Sequence, residues 1–220
     1  MTDAPGPDKT DTRTAIIHAA LRGFGEKGFD ATSVREIAAA SGSNIAAISY
    51  HFDGKDGLRK ACAEHVVQTL RQVADLQNAL PPREDLDAET ARNILLSLAR
   101  RMIGFLLGTR EAGLIAAFVF REMAQPSPAL DIIFTGLVES VHRRACQIWG
   151  KASGREPESS EVLLAVFSMI GQIIYFHLGR PVVQRRLGWQ DYGPEEIRQI
   201  TATITANLSA RLDADARRRG

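Results

Sequence analysis

The side chains best suited to specific chemistry lie between Thr32 and Lys55, in the stretch TSVREIAAASGSNIAAISYHFDGK. Asn44 and Ser49 carry groups that can hydrogen-bond base edges, and Ile45, Ala46 and Ala47 can touch a thymine methyl. Ala46 and Ala47 are also small enough to let a helix backbone come close to the bases. Tyr50, His51 and Lys55 are placed for phosphates. The chemistry is noncovalent recognition of double-stranded DNA. Reaction chemistry has no comparable constellation. There is no GxSxG, no Gly-rich phosphate loop, no HExxH and no carboxylate pair in a recognisable setting. The five histidines, His18, His51, His65, His142 and His177, are scattered, and their spacing predicts no metal site. No enzyme activity and no cofactor are expected.

Two short helices must position the candidate DNA contacts. Ser33 and Glu36 have capping-box spacing: the hydroxyl can take a free backbone N–H and the carboxylate can reach back. Val34, Ile37 and Ala38 form a short apolar face, which Ser41-Gly42-Ser43 interrupts. Asn44 is a good N-cap for a second helix, Asn44 to His51, which turns Ile48 and Phe52 inward. Two helices joined by a tight Gly-containing turn are the helix-turn-helix layout, and the second would lie in a major groove. A preceding helix from Thr12, with Ile17, Ala20, Leu21 and Phe24 on one face, should hold the pair. Gly28 is placed to end it.

The rest of the chain predicts helices and no strand. A long helix should start after Asp53-Gly54 and run towards Asn78, linking the DNA-binding part to the next domain, with Pro81-Pro82-Arg83-Glu84-Asp85 as a surface loop. Further helices are expected over Ala91–Leu107, Glu111–Met123, Ala129–Trp149, Val162–Leu178 and from Pro194 to the Arg217-Arg218-Arg219 end. Pro181 is expected to end the fourth. Val162–Leu178 is apolar nearly all round, and a subunit interface is one way to bury it. The fold class is all-α. The expected domains are a disordered arm at 1–11, a helix-turn-helix domain at 12–58 and a helical effector-binding and dimerisation domain at 59–220.

Composition bounds the partners. Net charge is +1 over 220 residues, so no bulk basic field favours nucleic acid. DNA affinity must come from local cations, helix N-termini and a second subunit. Cys62 and Cys146 stand far apart and fit buried free thiols in a reducing compartment. No signal peptide opens the chain, and no apolar run reaches the ~20 residues that span a bilayer. A cytoplasmic protein without a membrane partner is expected.

Order and spacing over nearly fifty positions carry a family resemblance. Ile16-Ile17, Ala20, Phe24, Lys27-Gly28-Phe29, Thr32-Ser33, Ile37-Ala38, Gly42, His51-Phe52 and Lys55 resemble the DNA-binding domain of the TetR family of bacterial repressors. The resemblance implies phosphate contacts at Thr32 and Ser33. One departure stands out: the family usually has Tyr where Ser49 stands, and Tyr50 follows one place later. The runs REMAQPSPALDIIF, MIGQIIYFHLGR and RRLGW resemble the effector domain of the CecR branch of that family.

Together these imply a ligand-responsive homodimer on a palindromic operator. The last two long helices of each subunit would form a four-helix interface over Glu161–Leu178 and Glu195–Leu212. A small apolar or amphipathic molecule would bind among the C-terminal helices. Candidate contacts are Met102, Phe105, Phe118, Arg121, Phe134, Gln172, Tyr175 and Phe176, with Glu122, Trp149, Phe167, Met169 and His177 behind them. Each is more often simple core, and Arg121-Glu122 reads first as an exposed surface pair. The alternative is a DNA-binding regulator with no small-molecule effector, controlled by a protein partner.

Overall fold

A computed structural model describes residues 9–74 and 86–217. The expected loop at 81–85, most of the N-terminal arm and the two arginines at 218–219 lie outside the described residues. Within them no strand occurs. The helices are α1 (Lys9–Lys27), α2 (Val34–Ala40), α3 (Ile45–Phe52), α4 (Gly54–Ala74), α5 (Ala88–Gly108), α6 (Arg110–Ala124), α7 (Pro128–Ile133), α8 (Arg143–Ser153), α9 (Ser160–Leu178), α10 (Arg180–Leu187) and α11 (Pro194–Arg217). A π-helical stretch, Phe134–His142, joins α7 to α8, where an unbroken α-helix was expected. Helix α1 starts at Lys9, three residues before the expected point.

Two compact units form. One comprises the described residues up to Thr69 together with Arg110–Gly136. In it α1 packs on α2 and α6, α2 on α3, and α6 on α7. Its core includes Ile16, Ile17, Leu21, Phe24, Ile37, Ile48, Leu58, Cys62, Val66, Ile115 and Phe118, all at most 2% exposed. Burial of each such side chain is worth roughly 1.5–3 kcal/mol of transfer free energy. The α1–α6 crossing is tight: a Cβ on Gly25 would stand 2.8 Å from the Ala117 Cβ and 3.0 Å from the Phe118 backbone nitrogen.

The other unit comprises the described residues of 70–109 and those from Leu137 on, so the chain crosses between units inside α4, between α5 and α6, and inside the π stretch. Here α5 packs on α8, α9 and α11, and α10 packs on α9. Trp149 is 1% exposed and its indole N–H donates to Asp215 at 3.1 Å; Arg211 closes that carboxylate at 2.9 Å. Pro181 does not simply stop α9. It stands in the first turn of α10, where its missing N–H costs nothing.

Helix α9 keeps much of its apolar surface open: Leu164, Phe167, Tyr175 and Leu178 are all about half exposed or more. It is long and apolar enough by composition to cross a membrane, at one residue under the expected threshold. Both cysteines are buried and free. His142 and Cys146 stand one helical turn apart with Nδ1 and Sγ at 3.6 Å, a neighbour the scattered-histidine reading passed over. His142 also stacks on Phe167 with ring centroids 3.9 Å apart.

Candidate nucleic-acid interface

Helix α3 is built to present one face and bury the other. Asn44 caps it, its side-chain oxygen accepting from Ala47 N–H at 2.8 Å. Ile48 and Phe52 are buried, which turns Asn44, Ile45, Ala46, Ser49 and Tyr50 outward, all exposed. Tyr50 is 76% exposed, the most open large apolar side chain of the unit. Ala47 and His51 are half-buried at the edges of this face, and the rings of Tyr50 and His51 meet edge to face. The cap uses only the oxygen of Asn44, so its two N–H donors stay available.

The helix before it is fixed by the expected capping box. Glu36 N–H donates to the Ser33 hydroxyl at 3.2 Å, and the Glu36 carboxylate accepts from Ser33 N–H at 2.8 Å. That backbone hydrogen bond, then the Lys27 ammonium at 2.9 Å, holds the Glu36 carboxyl at about 2, down from 4.5. Its folded value is depressed, so the cap's contribution is whole above about 4.5 and is lost as pH falls towards 2. Acid titration followed by circular dichroism should show early loss in this window, and Glu36→Gln should abolish that component. An unchanged acid limb in the variant would refute the assignment.

Gly42 makes the turn between α2 and α3, with φ of 65° in the left-handed region. Gly42 N–H donates to Ala39 and Ser43 N–H to Ala38, which satisfies the carbonyls at the end of α2.

Thr32 departs from the sequence expectation. It is 2% exposed, its hydroxyl donates to Gly28 carbonyl at 2.7 Å, and its backbone N–H is taken by Phe29. Its role is to lock the α1–α2 loop, whereas Ser33 remains exposed at the start of α2. Lys55 is half-buried, with its ammonium 4.3 Å from the Phe29 ring centre, and Arg59 lies at 4.4 Å from the same ring.

Arg59 and Glu122 form a site that sequence reasoning missed. Glu122 is 1% exposed, so it is not half of a surface pair. Arg59 Nε and Nη2 each donate to one of its oxygens at 2.9 Å, and Ser127 donates to it at 2.5 Å. The fork-to-fork geometry suits arginine and fixes the start of α4 against α6. Arg121 instead donates to the Glu26 carbonyl. The partners Arg59 and Glu122 are 63 residues apart, and no local pattern marks them.

The candidate ligand contacts are divided between the units. Phe118 is wholly buried, its ring 6.5 Å from Phe24, and Phe134 is half exposed. In the other unit Met102, Phe105 and Phe176 are half-buried, while Gln172 and Tyr175 are exposed on α9. Gln172 accepts from Asn207 of α11 at 3.1 Å. His177 is satisfied by the Leu106 carbonyl at 2.8 Å. A separate open cleft of about 480 Å³ is lined by Leu86, Arg144, Ile148, Lys151, Arg155 and Pro157 among others, and contains none of these candidates.

Residues 16–62 match the model for bacterial regulatory proteins of the tetR family, and residues 91–214 match the C-terminal domain of the HTH-type transcriptional dual regulator CecR. The chain belongs to the TetR family. CecR of Shigella flexneri is 30% identical over 207 residues, 92% of each chain. The regulatory protein RaaS of Mycobacterium tuberculosis is 25% identical over 200 residues, 89% of this chain and 85% of its own. Among solved structures, AibR in complex with isovaleryl coenzyme A and operator DNA superposes with a TM-score of 0.65 at 16% identity, covering 90% of this chain and 97% of that one. This TetR-family chain is therefore a DNA-binding transcriptional regulator with a CecR-type C-terminal domain, as its residues implied.

Proposed function

We propose that the chain is a homodimeric repressor that binds a palindromic operator through α3 and is released by a small apolar or amphipathic molecule. The observation that carries it is the outward face of α3, where Asn44, Ser49 and Tyr50 stand exposed beside small residues on a buried Ile48–Phe52 foundation. Two such faces would read half-sites roughly 34 Å apart, or a multiple. A second copy laid along α9 and α11 would cover Leu164, Phe167, Tyr175 and Leu178, side chains a soluble protein does not leave open together. An obligate interface of this kind buries roughly 2,000 Å² or more. Ligand contacts are assigned to Met102, Phe105 and Phe176 on α5 and α9, half-buried and apolar. Release requires that the ligand prefer the conformation that fits DNA less well. The protein acts in the cytoplasm, beside its operator.

Replacing Tyr50 and Lys55 together by alanine should weaken operator binding several-fold in a gel shift. Sedimentation of the same preparations should show a dimer throughout. Undiminished binding would remove the α3 face from the proposal, and a monomer at working concentration would remove the paired reading.

A further inference from the structure

We propose that His18, His65 and Glu111 form a transition-metal site, suited to Zn²⁺ or a similar divalent ion, that ties α1, α4 and α6 together. The donor set is two imidazoles and one carboxylate, from three helices of one compact unit. His65 Nε2 lies 3.0 Å from Glu111 Oε1, and His18 Nε2 lies 3.6 Å from that same oxygen. All three ligand atoms lie within 4.8 Å of one another. Ligand atoms at zinc's usual bond lengths stand roughly 3.3 Å apart in a tetrahedron, between the two shorter separations here. The ring centroids are 5.4 Å apart and the ring planes are inclined at 70°.

The second observation is His18 Nε2 itself. It is sealed from solvent and makes no hydrogen bond. Glu111 Oε1 is within hydrogen-bond reach of His65 but not of His18, at 3.6 Å, and a buried polar atom without a partner is costly. A cation placed among the three would engage both nitrogens and the carboxylate at once. The side chains stay partly open, His18 at 42%, Glu111 at 36% and His65 at 20% exposure, so the cluster lies near the surface of the unit. Two histidines with a carboxylate select borderline metals such as Zn²⁺, Co²⁺ or Ni²⁺ over Mg²⁺ or Ca²⁺. Because α1 also packs on α2, an ion here would brace the helix that holds the DNA-reading pair.

The test is a Co²⁺ titration of the full-length protein after chelation and dialysis, read by the visible absorption of low-coordinate Co²⁺ and by competition with Zn²⁺. One equivalent per chain should bind at micromolar metal. His65→Ala and Glu111→Gln should each weaken uptake at least tenfold, and His18→Gln, at the most exposed ligand, should do so with its melting temperature in the absence of metal retained. Zn²⁺ should raise the melting temperature of the native protein and not of the variants. No uptake at micromolar metal, or uptake in all three variants equal to that of the native protein, would overturn the proposal.

Discussion

Arg59→Ala is expected to destabilise the N-terminal unit by about 3–5 kcal/mol, the cost of removing one partner of a buried ion pair. Glu122 is 1% exposed and, among the described residues, would keep Ser127 alone as a hydrogen-bond partner for its carboxylate. Glu122→Ala should cost less. The Arg59 side chain is 17% exposed and also lies on the Phe29 ring, so its charge would retain some solvent and one favourable neighbour. Replacing both with apolar residues of similar volume, Arg59→Met with Glu122→Leu, should recover most of the loss, since neither charge then remains uncompensated. Denaturant midpoints at constant m-value measure all three. Since whole domains are stable by only about 5–15 kcal/mol, the single variant should sit near the edge of folding. A wild-type midpoint for Arg59→Ala would show that Glu122 is solvated in the native state.

Gly57→Ala should be the most disruptive single methyl addition near α3. The new Cβ would stand 1.7 Å from the Phe52 carbonyl oxygen and 2.9 Å from its carbon. Both are backbone atoms, so no side-chain rotation can relieve the clash. The elbow between α3 and α4 is already committed, with Asp53 and Gly54 both in the left-handed region at φ of 57° and 93°. The chain must therefore shift α3 against α4, at about 4 kcal/mol or more, in the range reserved for substitutions that break a specific structural feature. Operator affinity should fall with it. Gly113→Ala in α6 is the control: nothing lies within 4 Å of its added Cβ, and it should gain about 0.5–1 kcal/mol from helix propensity. Equal midpoints for the two variants would mean that the elbow is more open than described.

Much of the α2–α3 pair was legible because its determinants are local. The capping box at Ser33 and Glu36, the cap at Asn44, the turn at Gly42 and the inward pair Ile48 and Phe52 each depend on residues within a turn or two. Hydrogen bonds at i to i+3 and apolar steps of three or four residues are visible in a string of letters. Thr32 shows the limit even there. Its neighbour Ser33 faces solvent, but Thr32 is turned in by a hydroxyl bond to Gly28 and by contact with Gly23, where an added Cβ would meet its methyl at 2.6 Å. A residue at a helix start was expected to meet phosphate; loop closure claimed it instead.

The longer-range features were not legible, for a common reason. Arg121 and Glu122 were indistinguishable as neighbouring charges, yet one donates to a carbonyl of α1 and the other is buried under Arg59. The helix partners that decide between those fates are many residues away. Likewise His18, His65 and Glu111 carry no spacing that marks a metal site; only the packing of α1, α4 and α6 makes them converge.

What the amino-acid order determined alone was the helical class, the short helices and their caps, and the family, since each rests on periodicity and contacts a few residues long. Tertiary structure decided which charges are buried, that Thr32 is closed into a loop and where distant side chains meet. Those depend on which helix crosses which, and a crossing is selected by the summed fit of whole faces, a quantity no single motif contains.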